Sequence, residues 1–197
     1  MADPKTQPSL GQKVLAFATN KSGQLVGSGE CFDLADKALR DAGAKSAADF
    51  GTITADANYQ WGTAVDLASV QAGDILQFRN YAVNITIVTK TKKKLLKGGE
   101  ESEDDTDNPG TEYYDRPHHT AIVAAKVGAT ALRVFEQNAP PRGGSIPERL
   151  NRLREIDIKS SSSTVAINRQ ETDGVVTGET KTKITVTGTI WAYRPKQ

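Results

Sequence analysis

Thiol and imidazole groups are scarce in this chain: 197 residues hold one cysteine and two histidines. A single cysteine excludes an intrachain disulfide and a Cys-rich zinc site. Long apolar runs are missing too. The longest, such as Ala121–Ala125, fall far short of a membrane span. Neither charge is in excess, since 25 basic and 24 acidic residues leave a net charge of +1. That balance removes the electrostatic case for nucleic acid or anionic lipid as the main partner. Met1-Ala2-Asp3-Pro4-Lys5 lacks the basic-then-apolar layout of a secretory signal. The expectation is a cytoplasmic protein, or one exported without a cleavable signal peptide.

What remains is an ordinary globular composition, with 37% hydrophobic and 25% charged residues. The length fits one domain able to bury its own core. Residues 1–12 read as a loose tail, and 13–197 as a single domain. Lys13–Ala18 predicts one or two helical turns, and the glycines of Asn20–Gly29 a loop. Cys31, Leu34, Ala35, Ala38, Leu39 and Ala42 then fall on one face of a 3.6-residue repeat. Asp33 and Asp36 lie toward the start of that helix, Lys37 and Arg40 later, and Gly43 ends it.

Val65–Val70 predicts an extended or short helical piece. Ile75–Phe78, Ala82–Thr89, Thr164–Asn168 and Lys183–Tyr193 predict strands, with a hairpin of His119–Val127 and Ala131–Phe135 around Gly128. Leu150–Ile158 predicts a short helix followed by a strand, and Lys159–Ser163 a turn. Between 90 and 110, five lysines precede six acidic residues. This insert reads as a solvated hairpin tip or disordered segment, or else as a docking loop over the site. Helix first and strands after predicts an α+β fold, an antiparallel sheet packed on the N-terminal helix.

Cys31 sits in the first helical turn after a glycine loop, where the helix dipole favours a thiolate and the Cys31 amide can donate to an oxyanion. The base has to be one of His118 and His119. On a strand they point to opposite faces, so only one can meet Cys31. That divergence also argues against a metal, and neither metal nor cofactor is expected. Glu136 and Asn138, two apart on the following strand, are expected to share a face, with Phe135 and Gln137 on the other. Either polar group can orient an imidazole. Together these supply nucleophile, base and orienter.

Four segments resemble the CHAP amidase/peptidase family within the NlpC-type, papain-like group. They are Gly29-Glu30-Cys31, Trp61 with Gly73-Asp74-Ile75-Leu76-Gln77-Phe78, His119-Thr120-Ala121-Ile122-Val123, and Glu136-Gln137-Asn138. The Gly-Glu-Cys form and Ala72–Arg79 also resemble the cysteine-proteinase-fold domain of certain fungal actin-patch proteins. The resemblance implies a papain-like fold with Cys31 as nucleophile, His119 as base, Glu136 as orienter and Asn138 as a supporting polar group. It implies an amide-bond hydrolase acting through a thioester, on a peptide or on a peptidoglycan peptide or muramoyl–peptide amide. The alternative is a non-catalytic peptide- or protein-binding module that meets its partner through 90–110. One departure bears on the chemistry: Glu30 stands where the CHAP family has Gln. Facing the thiol, its charge opposes a thiolate; facing outward, it serves as a helix-start acid.

Overall fold

The computed structural model describes residues 7–95, 101–104 and 110–197. Two helices lead, α1 (Leu10–Asn20) and α2 (Cys31–Asp41). The first starts earlier and runs longer than the apolar stretch at 13–18 predicts. Ser9 and Gln12 form a capping box that satisfies its first amides, so residues 10–12, read from the sequence as tail, are helical. The predicted α2 is present, and Gly43 follows its end at φ 75°. No described helix is long and apolar enough to cross a membrane.

Among the described residues, eight strands form one antiparallel sheet: β1 (Thr63–Val65), β2 (Ile75–Leu95), β3 (Glu101–Asp104), β4 (Gly110–Val127), β5 (Ala131–Glu136), β6 (Arg152–Asp157), β7 (Ser161–Gln170) and β8 (Gly174–Arg194). The order is β1-β8-β2-β4-β5-β6, with β3 beside β2 and β7 beside β8. The architecture is α+β but dominated by the sheet. One apolar cluster joins α1 and α2 to Trp61, Ile75, Ile122 and Phe135. A second, of Leu76, Phe78, Tyr81, Val83, Val134 and Ile156, packs about the same sheet.

Several local expectations change. Val65–Val70 divides into the end of β1 and a 3₁₀ turn at Leu67–Ser69. Residues 150–158 contain no helix, because β6 pairs along its whole length with β5. Ser161 already belongs to β7 rather than to a turn. The two segments 75–78 and 82–89 are one strand, which runs on to Leu95 and pairs with β8 on both sides of a bulge. The lysines at 90–94 are therefore strand residues. Register sets Lys92 opposite Glu103 and Lys94 opposite Glu101. Residues 96–100 and 105–109 of the insert lie outside the described residues. From Phe78, the strand runs about 50 Å to Lys94 at the usual rise per residue, away from the loop that carries Cys31.

A bulge between Arg79 and Ala82 of β2 interrupts this long strand. Leu76 and Phe78 face the second cluster before it, Tyr81, Val83 and Ile85 after it, so the inward parity changes from even to odd. Asn80 adopts φ 52° there, and Gly188 opposite adopts φ 84°. A Cβ on Gly188 would lie 2.2 Å from the Asn80 carbonyl oxygen. Gly188→Ala is therefore expected to destabilise the fold by about 3 kcal/mol. Urea unfolding followed by tryptophan fluorescence measures this; a change below about 0.5 kcal/mol would show that the bulge is not constrained at this point.

Candidate active site

The glycine loop before α2 places the thiol. Gly27 and Gly29 have φ 63° and 91°. Asp33 reaches back from the first turn to accept from the Ser28 amide and hydroxyl, both at 2.6 Å. Gln137 closes the loop from the far side. Its Oε1 accepts from the Val26 amide (3.2 Å), and its Nε2 donates to the carbonyls of Val26 (2.8 Å) and Glu30 (2.6 Å). The helix start is thus tied to the end of β5.

The sheet then opens a position for the sulfur. β5 pairs with β4 only over Ile122–Val127. Beyond Ile122 the β4 edge has no β5 partner, and the first turn of α2 occupies it. There the His119 ring and the Thr120 and Phe32 amides come near enough to the Cys31 sulfur to favour its thiolate. His119 is buried, and its Nε2 lies 3.0 Å from Glu136 Oε2. Nδ1 is the nitrogen left for Cys31. Glu136, 1% exposed, also accepts from Arg116 Nε at 2.9 Å and Nη2 at 2.5 Å.

These contacts polarise the line. Burial pushes the Cys31 thiol up, but the His119 charge and hydrogen bond, with the two amides, outweigh it and hold the thiol below its usual range. Burial pulls His119 down, yet the Cys31 thiolate and then Glu136 raise it to about 9. Burial likewise works against the Glu136 carboxylate, while His119 and Arg116 hold it at about 2. All three groups thus favour thiolate, imidazolium and carboxylate together.

The two histidines diverge as expected. His118 Nε2 lies 2.7 Å from the Ala57 carbonyl oxygen, and its ring packs on Tyr59. Tyr59, Phe32 and Trp61 stack about one another beside the thiol. Trp61 donates from Nε1 to Gln77 Oε1 at 3.0 Å, fixing the base of this wall. His119 is not at the head of its strand; β4 begins at Gly110, and His119 stands where pairing with β5 has ceased.

Asn138 does not join the line. Its backbone turns into the left-handed region at φ 58° just past β5, which ends the strand alternation. Its Nδ2 donates to Glu30 Oε2 at 2.5 Å instead. Arg149 Nη2 lies 3.1 Å from Glu30 Oε1 and donates to the Ser28 carbonyl. Glu30 therefore points outward, half exposed, with its charge balanced. Two residues escaped the sequence reading. Gln137 gave no signal beyond its adjacency to Glu136. Arg116 is three residues before His119, and strict alternation puts the two on opposite faces. The bulge changes that: His119 pairs with Phe78 and Arg116 with Tyr81, on the same side. Among the described residues, no three His, Cys, Asp or Glu side chains are grouped to hold a metal ion.

Residues 5–197 match the family described as the AIM3/BBC1 cysteine proteinase-fold domain. The chain belongs to this family. The match covers both helices, the whole sheet and the Cys31–His119–Glu136 line, and it establishes a papain-like, cysteine proteinase fold. It agrees with the resemblance to the actin-patch protein domain; it does not extend to CHAP or NlpC-type proteins. No curated protein and no solved structure matches the chain.

In a cysteine proteinase-fold domain the polarity of the thiol can be measured directly. Iodoacetamide labelling of Cys31 is expected to persist well below pH 8.5, the ordinary thiol value. His119→Ala is expected to slow labelling at pH 6.5 about tenfold or more. Equal rates in the two proteins at that pH would show that His119 does not activate the thiol. Gln137→Ala, which strands the Val26 and Glu30 backbone groups, is expected to cost about 2–3 kcal/mol in denaturant unfolding.

Proposed function

We propose that this domain is a cysteine-dependent amide-bond hydrolase in which Cys31 is the nucleophile, His119 the acid–base and Glu136 the orienter. The observation that carries the reading is the buried His119 ring, 3.0 Å from Glu136 Oε2 and near enough to Cys31 that each favours the other's charged form. An inert structural cysteine has no use for it.

The Cys31 thiolate attacks the carbonyl carbon, and the oxyanion meets the Cys31 amide, a first-turn N–H with no intrahelical acceptor. The His119 imidazolium gives its proton to the leaving nitrogen as the C–N bond breaks, which leaves a thioester. Neutral His119 then takes a proton from water. The resulting hydroxide equivalent attacks the thioester, the C–S bond breaks, and the thiolate–imidazolium pair returns. Glu136 holds Nε2 throughout, so Nδ1 stays on the sulfur. Asn138 acts on the rim by holding Glu30 away from the thiolate.

The cysteine proteinase fold of the family favours a peptide amide as substrate. The peptidoglycan peptide or muramoyl–peptide amide rests on the CHAP resemblance alone. Purified domain is expected to release amine from a pool of blocked peptides, and Cys31→Ala to release none. Purified peptidoglycan serves as the second arm, and soluble fragments there would favour the cell-wall substrate. Equal release by the two proteins in both arms would overturn the proposal. Retention of intact peptide by both, without cleavage, would support the binding-module alternative, with 90–110 as the surface to test.

A further inference from the structure

Arg116 has no assigned role, yet it is the most completely engaged cation near the thiol. It is buried, and its Nε and Nη2 take both oxygens of Glu136. Its Nη1 donates to the Asp115 carbonyl at 2.6 Å, and its guanidinium lies over the Tyr114 ring, 5.5 Å from the centroid. The fork is therefore fixed from three directions. Two planar donors on two oxygens leave the carboxylate one orientation, the one that turns Oε2 to His119.

We propose that Arg116 is a positioning residue for the Cys31–His119 pair: it locks Glu136 onto His119 and offsets that carboxylate's charge, and so sets the pH interval over which thiolate and imidazolium coexist.

The surrounding charges leave this role to Arg116. From β6, Arg154 Nη1 comes to 3.6 Å of Glu136 Oε1, but it donates to the Ala139 carbonyl (2.7 Å), and its Nη2 donates to Glu148 (2.8 Å). Behind Arg116 lie the Tyr81 and Tyr114 hydroxyls and Asp157, whose Oδ2 accepts from Tyr114 at 2.8 Å and from Arg142 at 3.0 Å. On the thiol side, His119 meets Cys31 and the Phe78 ring, the Tyr59 hydroxyl lies near enough to Cys31 to feel its charge, and Glu30 is turned to Arg149. Burial makes each of these charges count. With Arg116 in place, the imidazole faces a carboxylate whose charge is cancelled one step further on. Without it, Glu136 holds the imidazolium more tightly, and the thiolate loses a nearby cation. Both effects move titration upward: the thiol protonates at higher pH, and the imidazolium deprotonates at higher pH.

The inference rests on the activated-thiol reading above, and the test separates the two. Cys31 is the only cysteine, so iodoacetamide labelling of the full chain reports it alone. The labelling rate is followed from pH 4 to 11 in wild type, Arg116→Met and Arg116→Lys, each checked for a cooperative thermal transition. Both limbs are expected to move up by about one pH unit in Arg116→Met, and to stay within about 0.3 unit of wild type in Arg116→Lys. If the Met variant does not fold, Arg116→Gln, which keeps a donor but no charge, serves in its place. Limbs that do not move in a folded, uncharged variant would overturn the inference while leaving the activated thiol intact. A wild-type profile that titrates like a free thiol would overturn both.

Discussion

Glu136 is a carboxylate with almost no exposed surface, and the site depends on what that costs. A buried charge without partners is expensive enough to take up a proton or disrupt the fold. Here it finds three donors on two side chains, the Arg116 fork and His119 Nε2. Satisfying Glu136 therefore also fixes the imidazole ring. Once Nε2 is committed, Nδ1 has one direction left, and the α2 start lies along it. The same low dielectric that penalises an isolated carboxylate strengthens each of these contacts. Ionisation of Cys31, His119 and Glu136 is thus one coupled property of the line and not three separate ones.

Two backbone irregularities make that convergence geometrically available. The bulge at Arg79–Ala82 changes the side-chain parity of β2, so Arg116 and His119 come to the same side although they are three residues apart. The early end of β5 leaves the β4 edge open at Thr120, and the α2 first turn takes the place of a neighbouring strand. An unbroken ladder would have paired the Thr120 amide with a carbonyl. In this fold that amide is free to meet sulfur.

Glu30, the residue that departs from the CHAP pattern, is compatible with the thiolate because tertiary contacts turn it away. Asn138 and Arg149 hold its carboxylate on the rim, and Gln137 holds its carbonyl. The segment 136–138 thus serves the site at three depths: Glu136 on the imidazole, Gln137 on the loop before the thiol, Asn138 on the flanking acid. A cysteine proteinase-fold domain built this way keeps the polarity of its thiol despite an acidic neighbour.

Local chemistry was enough to place Cys31 at a helix start, because a 3.6-residue apolar repeat after a glycine loop has few other readings. It was enough to separate His118 from His119, because adjacent strand residues diverge, and to single out Glu136, which meets the His119 ring. The antiparallel α+β order was legible on the same grounds. The continuity of β2 through residues 79–82 was not, since a bulge reads in sequence as a break between two strands. Nor was the strand character of the lysine run, which comes from pairing with β8 and β3. The parting of Asn138 from Glu136 needed a left-handed backbone that alternation does not foresee. Arg116 was invisible for the deepest reason. A buried charge is stable only through partners distant in sequence, and the position of those partners is a property of the sheet's register and not of the residues beside it.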